Sequence, residues 1–411
     1  MVKLSRYFLV ILAVVGFAIV LPKLYWMAFA KPIRAPYVMY SCIDNNFVIL
    51  RSGNGVKRTN IKGEELTREE YEQKLPLLFV RQLLLNKTMP DSINGVEMDM
   101  HDITINRSTF RVRPKEVNAP QPTLFPLFES QSGRANLSMP PDFFRITWRM
   151  EFIDAATNKI NEEKSRMFSA VLYKHGFKFP ATTIEGIPTT RKSCDEGYFI
   201  IDSANQLFHI KMIKGEPYVH KIETPTGLTF KTIRCVDFKN KRYYAYLFST
   251  NNEIYILTQY DYELIKFPIE NLNPQIAEIK IYSDLFNFNV ISITDGEMHV
   301  TALNRDYQKV DEFIEKWPVR SQRTEGKIAQ FIFPAQISLT NKTSGFVRFF
   351  VTPPESFYWL FLSLLLAAVH FVLLKQKRVK ITKHIIDFII IAITGIFGFI
   401  AVNIFPNKFY D

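Results

Sequence analysis

The sequence predicts a membrane-anchored, mainly β protein. It should combine a β-propeller-like extracytoplasmic domain of six or seven blades, carrying a small helical insertion, with three transmembrane α-helices. Apolar segments lie at both ends of the chain, a strand–turn–strand unit recurs about every 45 residues between them, and the loop joining the last two apolar segments is strongly basic. The predicted domains are a signal anchor (1–30), the extracytoplasmic domain (31–355, insertion 64–95) and a two-helix transmembrane hairpin (356–411).

Each apolar segment is long enough to cross a bilayer as a helix. Residues 7–22 carry no charge, and residues 356–374 and 388–406 are uncharged runs of 19 residues each. A helix rises about 1.5 Å per residue and the hydrocarbon core is about 30 Å thick, so three crossings are predicted. The first segment is either an uncleaved signal anchor or a cleaved signal peptide, because Ala-Phe-Ala at residues 28–30 resembles a cleavage site.

Basic residues predict the orientation of the helices. The loop at residues 375–383 contains five positive charges and no acid, and short basic loops stay in the cytoplasm. Lys3 and Arg6 place the N-terminus on the same side. Residues 31–355 and the tail at 407–411 are then expected outside the cytoplasm, which for a bacterial inner-membrane protein is the periplasm. The basic loop residues are Lys375, Lys377, Arg378, Lys380 and Lys383.

Composition argues against nucleic-acid binding. The net charge is +11, but residues 31–355 hold 42 basic and 38 acidic residues, which leaves a net charge of only +4 on that domain. The three cysteines, Cys42, Cys194 and Cys235, match no metal-binding spacing. The sequence is compatible with a Cys194–Cys235 disulfide and also with buried free thiols. The seven histidines form no zinc motif, so no metal or cofactor is predicted.

The repeated unit has the signature of a β-hairpin. Residues 197–210, 245–257 and 290–301 each contain a β-branched or aromatic run, a polar turn and a second strand. Their turn residues Asn205, Asn252 and Gly296 lie 47 and 44 residues apart. Weaker copies lie near Asn158 and at 337–345, 103–106 and 41–50. This period is typical of propeller blades, with a pair of β-sandwiches or a short propeller beside a separate N-terminal module as the alternatives.

Residues 64–95 depart from the β pattern. Thr67 and Glu70 form a capping-box sequence, which predicts a helix running to Leu75, and a second helix is predicted at 77–85. The apolar residues of this insertion are expected to pack on the β core. Residues 114–141 contain six prolines and are predicted to be an extended surface loop.

Two ionisable residues fall within the apolar C-terminal region. Asp387 lies at the start of the last apolar segment, within one helical turn of Lys383 and His384, so an interfacial ion pair or a solvated position is expected. His370 lies deeper in the preceding segment, where a hydrogen bond to Thr394 or Ser363 is expected.

Small residues recur at every third position of the last apolar segment. Such a stripe allows close approach of a neighbouring helix, either the preceding one or that of a partner subunit. The stripe consists of Ala392, Gly395, Gly398 and Ala401.

Four motifs resemble an uncharacterised bacterial membrane-protein family, a domain of unknown function. They are TREEY at 67–71, MPDSING at 89–95, GFKFPA at 176–181 and DEGYFIID at 195–202. Members of that family accompany ABC-transporter subunits, and the resemblance spans the whole chain. It implies an export or uptake context and supplies no catalytic residues.

The expected function is therefore that of a non-enzymatic accessory or interaction subunit of an inner-membrane ABC-type transport complex. Expected partners are the lipid bilayer and the permease or ATPase subunits. No nucleophile–base, Walker or dinucleotide-binding motif occurs in the chain, and the loop at 375–383 is too short to hold ATP. The alternative is a stand-alone membrane-anchored sensor or ligand-binding receptor of the cell envelope.

Overall fold

The computed structural model describes residues 2–53, 55–134 and 136–407. The chain forms two compact units. The first, called here the helical unit, comprises residues 1–34, 295–297 and 316–411. The second, the sheet unit, comprises residues 35–294 and 298–315.

The sheet unit consists of small antiparallel sheets. Its strands are β1 (Tyr37–Ser41), β2 (Asn46–Gly53), β3 (Gly55–Asn60), β4 (Ser92–Ile93), β5 (Val96–Glu97), β6 (Ser108–Val112), β7 (Phe125–Pro126), β8 (Asp142–Ile146), β9 (Met150–Asp154), β10 (Ala181–Gly186), β11 (Tyr198–Asp202), β12 (Leu207–Ile213), β13 (Glu216–Ile222), β14 (Phe230–Cys235), β15 (Tyr243–Ser249), β16 (Ile254–Thr258), β17 (Leu264–Lys266), β18 (Glu278–Ser283), β19 (Phe288–Ile293), β20 (Glu297–Leu303) and β21 (Lys309–Lys316). The sheets are β1-β2-β3, β4-β5, β7-β8-β9, β10-β11-β12-β13, β14-β15-β16-β17 and β21-β20-β19-β18-β6.

Ten α-helices accompany the strands in the described part of the chain. Those between the strands of the sheet unit are short, except for a 13-residue helix after β9. The helices are α1 (Val2–Phe29), α2 (Arg68–Lys74), α3 (Val80–Asn86), α4 (Met100–Asn106), α5 (Pro114–Val117), α6 (Glu162–Lys174), α7 (Thr324–Ile332), α8 (Trp359–Gln376), α9 (Ile385–Thr394) and α10 (Ile396–Ile404). The hairpin β22 (Gln336–Ser338) and β23 (Phe350–Thr352) belongs to the helical unit.

Successive sheets bury both of their faces. In β11, Tyr198 and Ile200 join an apolar cluster with α6 and the β7–β9 sheet, whereas Phe199 and Ile201 join a cluster with β14–β16. Side chains alternate between the faces of a strand, so a strand buried on both faces becomes continuously apolar. This arrangement explains the long apolar runs and the many aromatic residues in this part of the sequence.

The predicted hairpin period corresponds to real sheets, but the propeller is not found. Asn205 and Asn252 lie in turns with positive φ, between β11 and β12 and between β15 and β16, while Gly296 precedes β20. These three hairpins belong to three different sheets. The hairpin does not recur in this way before or after these three. Asn158 leads into α6, and residues 337–345 belong to the β22–β23 region of the helical unit. The described residues therefore form no closed propeller or barrel.

The helical insertion is confirmed at its start. Thr67 caps α2 through both halves of the predicted capping box, and α3 follows the predicted break at Pro76. Leu77 is buried as expected, but Leu84 and Leu85 are exposed. The expectation of a surface loop at 114–141 is wrong in part, because this stretch contains α5 and β7 and because Leu127 and Phe128 are fully buried.

Two helices of the described chain are long and apolar enough to cross a membrane. They are Leu4–Phe29 and Trp359–Gln376. The prediction of a third transmembrane helix is wrong, because Gly395, with φ 57° and ψ −130°, separates α9 from α10. These helices have 10 and 9 residues, so each reaches about 15 Å, half of a hydrocarbon core.

Helices α9 and α10 fold back on each other. Arg6 donates one hydrogen bond to Asp387 at the start of α9 and another to the carbonyl of Phe405 just after α10. In a continuous helix those two residues would lie about 27 Å apart at 1.5 Å per residue. Asn407 also donates to the carbonyl of Lys383, at 3.5 Å. The last apolar segment is thus a short helical hairpin that returns to its starting level. The predicted position of the tail after Asn407 lies outside the described residues.

Candidate functional site in the helical unit

A buried ion pair joins the two ends of the sequence. Nη1 of Arg6, in the second turn of α1, donates to Oδ1 of Asp387 at 2.8 Å, and the side chains are 6% and 1% exposed. Nε of Arg6 donates to the Phe405 carbonyl at 2.8 Å. Removing two charges from water is expensive, so such a pair persists only where additional hydrogen bonds hold the geometry. Arg6 therefore connects α1 to both ends of the α9–α10 hairpin.

Two histidines extend this network. Nδ1 of His384, one turn before Asp387, lies 3.1 Å from Asp387 Oδ2. His370, on α8, packs its ring edge-to-face against Phe388 at 5.3 Å. Both histidines are 4% exposed. The ion pair expected for Asp387 is thus present, with His384 and Arg6 as its partners, whereas the solvated alternative is wrong because Asp387 is buried.

Several polar atoms in this cluster have no hydrogen-bond partner among the described residues. They are Nη2 of Arg6, both ring nitrogens of His370, Nε2 of His384 and Oγ of Ser363. The expected bond from His370 to Thr394 or Ser363 is absent, because Thr394 donates to the carbonyl of Ile390 instead. The side-chain amide of Asn403 interacts with the His370 ring and also donates to the carbonyl of Phe399 at 2.6 Å. Each of these polar atoms is buried.

The residues of the small-residue stripe occupy different environments. Gly395 forms the turn between α9 and α10, and a Cβ atom there would lie 3.0 Å from Ser363 Oγ. At Gly398 a Cβ atom would lie 2.2 Å from Thr394 Oγ1 and 2.8 Å from the Ile390 carbonyl oxygen, so α9 and α10 touch closely at this position. Ala401 is buried in an apolar cluster with Val10 of α1. Ala392 is exposed.

The predicted topology residues surround the start of the hairpin. Lys375 lies in the last turn of α8, and Arg378 has a left-handed φ of 56° in the loop that follows. This loop leads through one 3₁₀ turn, Ile381–His384, into α9. All five side chains are exposed: Lys375, Lys377, Arg378, Lys380 and Lys383. The loop and the returning end of α10 consequently lie at the same end of the hairpin, and the Asn407–Lys383 bond joins them.

The sheet unit contains a second polar cluster, around Cys194. The Cys194 thiol lies 2.5 Å from Lys241 Nζ and donates to Glu196, whose carboxylate also pairs with Lys211. Burial raises the pKa of Cys194 and also that of Cys235, which lines the same small cavity. Both cysteines are free. At Cys194 burial thus outweighs the contact with Lys241, which acts to lower the pKa of the thiol.

An open groove lined by aromatic side chains also lies on the sheet unit. Trp148 and Tyr173 are exposed beside Phe179, whose ring lies 5.0 Å from that of Tyr173. The guanidinium of Arg149 covers the ring of Trp148 at 4.6 Å. Lys178 and Ser203 add polar groups to the groove. Exposed rings with nearby polar groups can stack on and hydrogen-bond a small amphipathic ligand.

Sequence reasoning missed the central residue of the ion network. The sequence predicts only that Arg6 orients α1, although Arg6 is the partner of Asp387 at a separation of 381 residues. The available signal was a basic residue next to the start of one apolar segment and a lone acid at the start of another. Opposite charges at matching depth in neighbouring helices pair with each other. The histidine spacing carried no comparable signal.

Comparison with known proteins identifies the family but no activity. A family model described as a domain of unknown function, DUF4857, matches residues 37–303, most of the sheet unit. No functionally curated protein matches the chain. The match itself carries no link to ABC transporters or to bacterial membranes. Because it extends over well over half of the 411 residues, this chain belongs to the DUF4857 family.

Proposed function

We propose that this protein is a non-enzymatic accessory subunit of an ABC-type transport complex in the bacterial inner membrane. In this proposal α1 and α8 cross the bilayer, and the α9–α10 hairpin enters it from the cytoplasmic side beside the basic loop. The sheet unit lies in the periplasm and offers a docking surface. The helices pack against the permease.

The observation that carries the proposal is the ion network around Asp387, which is buried among the apolar helices of the helical unit. A protein that needs only an anchor requires one apolar helix. Here four helical segments surround a buried Arg6–Asp387 pair, and one segment turns back at about half the thickness of a bilayer. A buried ion pair is costly, and helices broken within the bilayer are typical of transport machinery.

The outer faces of the helices provide the surface for a partner. On α8, Phe361 and Leu364 are 68% and 67% exposed, and on α1, Phe8 and Ile11 are also exposed. These faces would contact lipid or other transmembrane helices. The charge pattern agrees with the proposed orientation, because the five basic residues of the loop are all exposed at the end where the hairpin begins.

Photo-crosslinking in cells tests this assignment. A photoreactive amino acid at Leu364 should form an adduct with a permease or ATPase subunit, identified by mass spectrometry. The same amino acid at Leu247, which is fully buried in the sheet unit, serves as the matched control and should form none. If Leu364 and Ile11 both yield only lipid adducts, the helices have no protein partner and the transport-complex proposal fails.

A second candidate function is a membrane-anchored receptor for a ligand of the cell envelope. The aromatic groove of Trp148, Tyr173 and Phe179 is the observation that favours it. Soluble cell-wall saccharides should then quench or shift tryptophan fluorescence in the native protein, and Trp148→Ala should abolish binding. A saccharide response that persists in Trp148→Ala would exclude this groove as the site.

A further inference from the structure

The histidines next to the ion pair form a set of metal-ligand atoms. His370, His384 and Asp387 each present one ligand atom, and these atoms all lie within 4.8 Å of one another. The three residues come from α8, from the 3₁₀ turn before α9 and from α9 itself. All three are nearly inaccessible to solvent. The proximity therefore results from the packing of α8 on the hairpin rather than from a local sequence motif.

The unused hydrogen-bonding capacity of the histidines points to a ligand. Neither ring nitrogen of His370 and only one of His384 has a partner among the described residues. A buried polar group without a partner costs about 1–3 kcal/mol. Two such imidazoles side by side are unfavourable unless a bound water or cation interacts with their ring nitrogens. Water could satisfy hydrogen bonds here, but a cation would use both lone pairs and the carboxylate together.

The chemistry of the ligand atoms defines the class of cation. Two imidazoles and one carboxylate are a common ligand set for zinc and for related divalent transition metals. Arg6 binds Asp387 Oδ1, whereas Oδ2 faces His384. A charged partner on the far oxygen of a metal-binding carboxylate orients that ligand, as outer residues of metal sites commonly do. The positive charge of Arg6 disfavours a second cation, so moderate rather than very tight affinity is expected.

We propose that His370, His384 and Asp387 bind one divalent transition-metal ion of the zinc class, with Arg6 holding the carboxylate in position. The proposal goes beyond the transport assignment and does not depend on it. The ion would join α8 to the hairpin, in addition to the Arg6 bond that joins α1 to it.

Metal binding can be measured on the purified full-length protein in mild detergent. After a chelator has stripped the protein and been removed, equilibrium dialysis against micromolar Zn²⁺ should load about one equivalent, because the three ligands form a single site. Cobalt in its place should show visible d–d absorption. His370→Gln and His384→Gln should each lose the bound ion, whereas His101→Gln, which removes an exposed histidine on α4, should retain it.

If the variants fail to fold, thermal unfolding of the wild-type protein with and without zinc still tests the proposal. Zinc at micromolar concentration should raise the unfolding temperature of the wild type, because an ion that binds only the folded state stabilises it. Zinc content at the level of the buffer, with no cobalt spectrum and no thermal shift, would overturn the proposal. Full metal content in a folded His370→Gln or His384→Gln protein would overturn it equally.

Discussion

Breaking the buried ion pair should strongly destabilise the helical unit. Asp387→Asn keeps the shape of the side chain but leaves the Arg6 guanidinium, only 6% exposed, without its counter-ion. Removing one partner of a buried pair costs about 3–5 kcal/mol, because the other charge remains buried and uncompensated. Arg6→Met should cost less, since Asp387 keeps its contact with Nδ1 of His384, 3.1 Å from Oδ2.

Replacing both charged residues should restore most of the stability that is lost when only one of them is replaced. Arg6→Met with Asp387→Leu removes both charges from the buried site, and exchanges of this kind are often neutral or stabilising. The double variant should therefore lie within about 1 kcal/mol of wild type, giving a coupling energy far above that of a surface pair. Asp295→Asn is the control, because Asp295 and Lys342 are exposed and 3.9 Å apart, and it should change stability by less than about 0.5 kcal/mol.

The assay is reversible unfolding in mixed detergent micelles, followed by far-ultraviolet circular dichroism in the presence of a chelator. The chelator keeps any metal contribution out of the comparison. If Asp387→Asn unfolds within about 1 kcal/mol of wild type, the pair is not buried in the way described here. A double variant as unstable as Asp387→Asn would show that the loss comes from packing rather than from the unpaired charge.

Three further changes test other parts of the structure. Gly395→Ala should lower the free energy of unfolding in the same assay by about 1–3 kcal/mol, because φ 57° and ψ −130° suit only glycine. The control is Gly16→Ala within α1, which should be neutral or stabilising. Thr67→Ala should lower the stability of the sheet unit to urea by about 1 kcal/mol through loss of the α2 cap, and no change would show that the cap is not formed. Burial lowers the pKa of His209 to about 3, so the unfolded chain binds more protons than the folded one between that value and about 6.5. Below about pH 6.5 the wild type should lose about 1.4 kcal/mol per pH unit relative to His209→Gln, and parallel stability curves for the two proteins would contradict this.

The fold was predictable where local signals decide it. The hairpins at Asn205 and Asn252 and the α2 cap at Thr67 depend on residues a few positions apart, and each was found where the sequence placed it. The closure of a propeller depends on how many sheets follow one another, which a local period does not determine. The local sequences at 197–210, 245–257 and 290–301 therefore predicted hairpins correctly, whereas their period predicted a closed ring that is not found.

The candidate site was less predictable, because its contacts are remote in sequence. Glycine is common in apolar helices, so Gly395 did not by itself indicate a break. The fold-back is held by Arg6, which lies 399 residues from Phe405 and 381 residues from Asp387. His370 and His384 likewise come together only through the packing of α8 on the hairpin. Such contacts follow from tertiary structure and correspond to no recognisable residue spacing in the sequence.

Cysteine accessibility in intact cells tests the arrangement of the helices most directly. In a background where Cys42, Cys194 and Cys235 are replaced by Ser, single substitutions at the exposed positions Lys377, Pro406 and Glu216 report the basic loop, the end of the hairpin and the sheet unit. A membrane-impermeant thiol reagent added outside should label Glu216→Cys only, once it has passed the outer envelope. Lys377→Cys and Pro406→Cys should react only after the inner membrane is opened. Labelling of Pro406→Cys from outside would mean that the last segment crosses the membrane and would contradict the fold-back at Gly395.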